Sequence, residues 1–380
     1  MPAARTEARS SSVVCCLLLA GCLAGSVLAQ SGQPPSTPKQ PIAFIVCGDP
    51  QYLAEHSEHP ERLDPLSQQA NSGFVRRVLE LPGTALPEAM GGGVVSTELR
   101  GLINTGDLID SLDKNGGPYP AMQRFEWQRY LTDYGLNGTD GRIPLPVYEI
   151  HGNHDGPQGD SFVVEAIIER NKTRPGVVNV SGNGLHYSWD WGPVHFINLG
   201  MFVGAGEQRR EDHHYAPRAS LEFLRDDLAT CVGDSGRPVI ISHHLHLDAP
   251  EFDWPAEDLA AYHESIREYN VVAIFNGHTH GSPPRHRVWD GTRIGSDVDG
   301  ISSFDPDDAG ASKLHNGQPV GLAHGFLYVE IHDLPGTDHD ELRVRSFITR
   351  DNWETANWDR LWVKRITSPD QPEGESTSQP

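Results

Sequence analysis

From residue 42 onward the chain alternates short apolar runs with amphipathic stretches, the pattern of strands and covering helices in an α/β fold. The runs predict strands at 42–47, 102–104, 147–150, 194–199, 239–241 and 271–275. Leu221, Leu224 and Leu228 recur at helical spacing before the fifth of these, and Leu259, Tyr262, Ile266 and Tyr269 before the sixth. A helix is therefore expected ahead of each strand, with its stripe packed on the core. Residues 185–190, a Trp191-Gly192-Pro193 turn and 194–199 read as a hairpin. Residues 325–332 and 341–349, with Pro335-Gly336 between them, read as a later strand pair. No repeat and no linker divides 42–350, which is expected to form one domain. The Gly/Asp/Ser-rich stretch 291–321 reads as an irregular loop, and 351–380 as an extension that is disordered after 368.

At 380 residues the chain can bury a sizeable core. Its formal net charge of −22 argues against a surface that neutralises nucleic-acid phosphates or hugs an anionic membrane, since both need a basic field. Arg5 and Arg9 precede an apolar run over 13–29, and Val27-Leu28-Ala29 has the small-residue pattern of a signal-peptidase site. Residues 1–29 therefore read as an export signal and 30–41 as a linker, with no transmembrane span in the mature chain. Leu19-Ala20-Gly21-Cys22 also fits a bacterial lipobox, which leaves open a lipid anchor at Cys22. Cleavage after Ala29 would leave Cys47 and Cys231, too few for a disulfide framework, and Cys47 reads as a buried free thiol.

Five polar clusters each stand just after an apolar strand candidate, where α/β folds assemble sites. They are Gly48-Asp49-Pro50-Gln51, Gly106-Asp107-Leu108-Ile109-Asp110, Gly152-Asn153-His154-Asp155, Ser242-His243-His244 and Gly277-His278-Thr279-His280. Singly, each is more often a turn or a satisfied surface group. Together and in this order they resemble the calcineurin-like metallophosphoesterase superfamily, with its Asp-x-His, Gly-Asp-x-x-Asp, Gly-Asn-His-Asp/Glu, lone His and Gly-His-x-His blocks, over roughly residues 42–349.

The resemblance implies a four-layer α/β/β/α sandwich of two mixed sheets flanked by helices, and hydrolysis of a small phosphorylated substrate by a water activated between two divalent ions, Mn, Fe, Zn or Mg. It implies Asp49, Asp107 and His280 around one ion, and Asp107, Asn153, His243 and His278 around the other, with Asp107 shared. His154 is then the acid–base group and Asp110 fixes its tautomer. His244 is expected to point away from a ligating His243 if that segment stays extended.

One block departs from the pattern, with Gln51 where the superfamily usually has His. An amide oxygen favours a hard ion such as Mn²⁺ or Mg²⁺ and binds it less tightly than imidazole, so Gln51 stands as an open ligand, with His56 and His59 as substitutes in principle. The Asp-Pro-Gln variant is similar to a phosphatase subset, which favours a monoester over a diester. Two other readings remain: a fold that has lost catalysis and serves as a binding module, and a nuclease, which the acidic composition disfavours. Arg209, Arg210, His213, His214 and Arg218 form a local basic patch, a solvated loop or a contact for substrate phosphate. Specificity is expected in the loops 52–71, 111–120, 156–184 and 200–218. Asn137, Asn171 and Asn179 head N-glycosylation triplets.

Overall fold

The computed structural model describes residues 40–367 apart from 56–58, 281–283, 307, 311–312, 316–317, 321 and 333–338. The export signal, the lipobox, His56, the Pro335-Gly336 turn and the tail after 367 lie outside the described residues. Strand β1 (Ile42–Cys47) shows how the layers arise. Its side chains alternate between faces, so Ala43, Ile45 and Cys47 pack under helices while Ile42, Phe44 and Val46 face a second sheet, and all six are buried.

Beside β1 lie β2 (Leu99–Asn104) and β3 (Val147–Glu149), both parallel to it. On its other side follow, each antiparallel to the last, β14 (His324–His332), β15 (His339–Thr349) and β16 (Asn357–Thr367). Residues 357–367, placed by sequence in an extension, thus form the edge strand of the first sheet. The second sheet has a parallel centre of β6 (Val194–Asn198), β7 (Val239–Ser242), β8 (Val271–Phe275) and β11 (Ile301–Asp305). Antiparallel flanks complete it: β4 (Val177–Val180) and β5 (Tyr187–Trp191) on one side, β9 (Arg285–Trp289) and β10 (Ile294–Gly295) on the other. A small hairpin of β12 (Lys313–His315) and β13 (Gln318–Val320) stands apart. The expected loop over 291–321 therefore holds four strands. Gly, Ser and Asp are poor strand formers alone, but β11 is fixed by pairing with β8 and β9 rather than by composition.

Helices α1 (Pro65–Glu80), α2 (Tyr119–Tyr134) and α3 (Phe162–Asn171) cover the first sheet, while α4 (Ser220–Asp227) and α5 (Ala256–Ile266) cover the second. The two mixed sheets and their helices form the four-layer sandwich anticipated above. Asp64 caps α1 by accepting from the N–H groups of Leu66 and Ser67, with Pro65 opening the first turn. In α2, Trp127, Tyr130 and Tyr134 stack along one face at helical spacing. Between the sheets, Phe44, Trp189, Trp191 and Phe196 interlock. No described helix is long and apolar enough to cross a membrane.

Candidate metal centre

The carboxyl ends of β1, β2, β7 and β8 open on one edge, and there the backbone turns sharply. Asp49, Gln51, Asp107, His278 and His280 all have positive φ, of 49°, 32°, 53°, 74° and 23°. Such values are uncommon outside glycine and mark segments held in place by their surroundings. Gly152 is required by close approach, since a Cβ there would lie 2.2 Å from Asp107 Oδ1.

Asp107 is the hub. Its Oδ1 accepts the His154 N–H at 2.7 Å, while Oδ2 accepts from Gln51 Nε2 at 3.0 Å. Oδ2 also lies 3.4 Å from His244 Nε2 and 3.9 Å from His280 Nε2. On one side, Asn153 Oδ1 meets His244 Nε2 at 3.1 Å and His278 Nδ1 at 2.8 Å. On the other, His280 Nε2 stands 3.4 Å from Asp49 Oδ1 and its Nδ1 is 2.6 Å from Asp308 Oδ1. The side chains thus form two groups that could each hold a metal ion: Asp107, His244 and His278, and Asp49, His280 and Asp308.

The donor chemistry fits cations. Asp49, Asp107 and Asp308 are buried, and among the described residues only imidazoles stand within ion-pair distance of the first two. Burial, then the Asp107 and Asp308 carboxylates, push the Asp49 pKa well up; Asp107 is held low because His244, His154 and His280 outweigh its own burial. A divalent ion is the natural counter-charge for carboxylates so placed. Gln51 Nε2 also lies 3.1 Å from His280 Nε2. Turning its terminal amide over puts Oε1 there instead, so one residue offers either a donor to Asp107 or an oxygen ligand.

Two expected positions need correction. His243 does not reach the cluster: its Nδ1 pairs with the Leu245 carbonyl at 2.7 Å, and its ring packs against Trp254 and Tyr262 beneath the outer helices. Alternation along β7 explains this. Ile241 and His243 share the helix-facing side, whereas Ile240 and His244 face inward, and His244 is the residue beside Asp107. Asp110 meets His154 through its backbone carbonyl, 2.7 Å from Nδ1. Its carboxylate is 3.7 Å away and paired with Lys114 at 2.9 Å.

Several supporting groups went unread in the sequence. Asp155 accepts the N–H groups of Leu108, Ile109 and Gly152, clamping the loop after β2 to the loop after β3. Glu126 on α2 accepts from Ala54 N, Ser111 N and Ser111 Oγ, bracing the loops after β1 and β2. Asp308 is tied to β1 through Gly48, whose carbonyl accepts from Ala309 N. The one local signal for Asp155 is its place directly after Gly152-Asn153-His154; nothing local marks Glu126 or Asp308. His59 stands apart as a surface partner of Glu61. The basic patch is largely neutralised: Arg210 pairs with Glu257 and Asp258, Arg218 with Glu207, and His214 with Asp253.

Two sheets that meet at a carboxylate-centred, histidine-rimmed edge define the class, and comparison with known proteins agrees. The family model for calcineurin-like phosphoesterases matches residues 93–282, half of the chain, and the chain belongs to that family. The match takes in Asp107, Asn153, His154, His244, His278 and His280. Purple acid phosphatase 23 of Arabidopsis thaliana is 28% identical over 155 residues, 39% of this chain and 31% of that protein. Purple acid phosphatase 15 of the same plant is 24% identical over 279 residues, 68% of this chain and 49% of that protein. The chain thus spans half or less of these curated relatives. A solved protein of Thermus thermophilus aligns with a TM-score of 0.37 at 12% identity, covering 76% of this chain and 94% of that one.

Proposed function

We propose that this protein hydrolyses a phosphate monoester at a pair of divalent ions, acting outside the cytoplasm as residues 1–29 suggest. The observation that carries the reading is Asp107, whose carboxylate sits between the His244–His278 group and the Asp49–His280 group, so that a single anion can serve both. Asp49, His280 and the oxygen of Gln51 would hold one ion, with Asp107 shared; Asn153, His244 and His278 would hold the other. Bound divalent ions supply Lewis acidity toward phosphoryl oxygens and make water more acidic.

The chain's own part is positioning and proton transfer. His154 donates from Nδ1 to the Asp110 carbonyl, which leaves Nε2 as the atom that exchanges a proton with the leaving oxygen. Burial alone would lower the His154 pKa, but the Asp107, Asp110 and Asp113 carboxylates raise it, which favours the protonated imidazole that an acid needs. Asp308 Oδ1 lies 2.6 Å from His280 Nδ1, on the ring's far side from Asp49, a carboxylate–histidine pairing of the kind that strengthens metal ligands.

The test is turnover of p-nitrophenyl phosphate and bis-p-nitrophenyl phosphate by protein stripped of metal and refilled with Mn²⁺, Zn²⁺, Mg²⁺ or Fe²⁺. Metal-dependent turnover with the monoester ahead is expected. The amide of Gln51 inside the cluster motivates a second reading, a binding module without chemistry. No turnover together with no metal bound near stoichiometry would favour it.

A further inference from the structure

Next to His278 the molecule has a small cavity of about 20 Å³ that the machinery above does not use. Its wall includes His246, Asn276, Thr279, Arg285, Arg287 and Asp305. The His246 ring stacks on that of His278 at 5.7 Å between centroids, so the cavity and the metal centre share a wall. Arg285 and Arg287 stand two apart on β9, which puts both side chains on the same face of the strand.

We propose that this cavity receives a second anionic group of the substrate, a carboxylate or a further phosphate carried beyond the ester that is cleaved. The proposal rests on the phosphoesterase reading and names its substrate class. Its acids are already engaged: Asp248 pairs with Arg287, and Asp305 accepts from Thr279. Arg285, by contrast, has only Asp305 near its guanidinium among the described residues, at 3.7 Å. His246 Nδ1 is buried with no hydrogen-bond partner among the described residues. An anionic oxygen in this space would meet an under-used guanidinium and a neighbouring imidazole, and planar Arg donors suit carboxylate and phosphate alike.

The experiment compares kcat/KM for alkyl phosphates with that for ω-phosphooxy carboxylates of matching and increasing chain length, using metal-loaded full-length protein. At one length or more the carboxylate should be preferred by about tenfold, mainly through KM, as a single charge-assisted hydrogen bond allows. Arg285→Ala should bring that ratio close to one, and Arg285→Lys should restore part of it. Arg287→Gln supplies a second variant, and unchanged thermal unfolding and metal content in each exclude misfolding as the cause. A bisphosphate preference of the same size that also disappears in Arg285→Ala would identify phosphate as the group received. Equal turnover of all the esters, or a preference that survives both substitutions, would overturn the inference and leave the phosphoesterase reading standing. Turnover of no ester would remove both.

Discussion

Two clusters of histidine and carboxylate lie at opposite edges of the second sheet, and only one has the makings of a reaction centre. At the edge away from the metal centre, His195 is buried with Nδ1 2.7 Å from Asp190 and Nε2 2.7 Å from Asp227. Asp227 also accepts from Ser188 and Asn179, and Asp190 pairs with Arg237. Cys231 stands close enough that His195, Asp227 and Cys231 could hold an ion by distance alone. Yet each ring nitrogen of His195 already has a carboxylate, and the nearby arginine balances the second acid. The centre around Asp107 is the reverse: Asp49 and Asp107 crowd together, and among the described residues their ion-pair partners are imidazoles rather than a guanidinium or ammonium, on backbone forced to positive φ. Residue type and proximity do not distinguish the clusters; completeness of partnering does.

Asp107→Asn should break this contrast most severely. It should lower turnover by about 10³-fold or more and release metal, because the shared anion is lost. Asp227→Asn should do the opposite, keeping metal content and turnover per folded molecule while costing about 3–5 kcal/mol in urea unfolding, since a buried pair loses one member. If Asp227→Asn depleted metal instead, the far cluster would be a second metal site. His154→Ala is next, with turnover expected to fall about 10²–10⁴-fold while metal stays bound by elemental analysis. An unchanged rate would remove His154 as the proton donor.

Much of this is legible in the sequence. Apolar runs located β1 and β8 to the residue, because strands buried on both faces read as continuous hydrophobic text. Asp49, Asp107, Asn153, His154, His278 and His280 do converge. What failed was information the chain does not carry locally. Two adjacent histidines offer both faces of a strand, and only the packing of Ile240 and Ile241 shows which face is inward. Helix α1 was not anticipated, and its first turns fall in the expected loop 52–71: its stripe is interrupted by Asn71 and Gly73, leaving the Asp64-Pro65 cap as its main local mark. Asp308 comes from a stretch of loop-like composition, and it joins the site only because β11 crosses back beside β8 and leads the chain to Gly48.

Asp308 and Asp110 sharpen the comparison further, as both are acids beside a site histidine but touch it differently. Asp308→Asn should weaken metal binding about 10–100-fold in a competition titration, because the carboxylate on His280 Nδ1 is replaced by a neutral acceptor. Asp110→Asn should do least, changing turnover by less than about tenfold with metal affinity intact, since the contact that orients His154 is a main-chain carbonyl that the substitution leaves in place. Lys114 would lose its carboxylate partner, but it also donates to the same main-chain carbonyl at 2.9 Å, so the loop keeps an anchor. A drop as large as that of His154→Ala would mean that the Asp110 carboxylate, 3.7 Å away here, closes onto the imidazole during the reaction. The ratio of the two variants' rates therefore reports which oxygen of Asp110 holds the ring when the ester is cleaved.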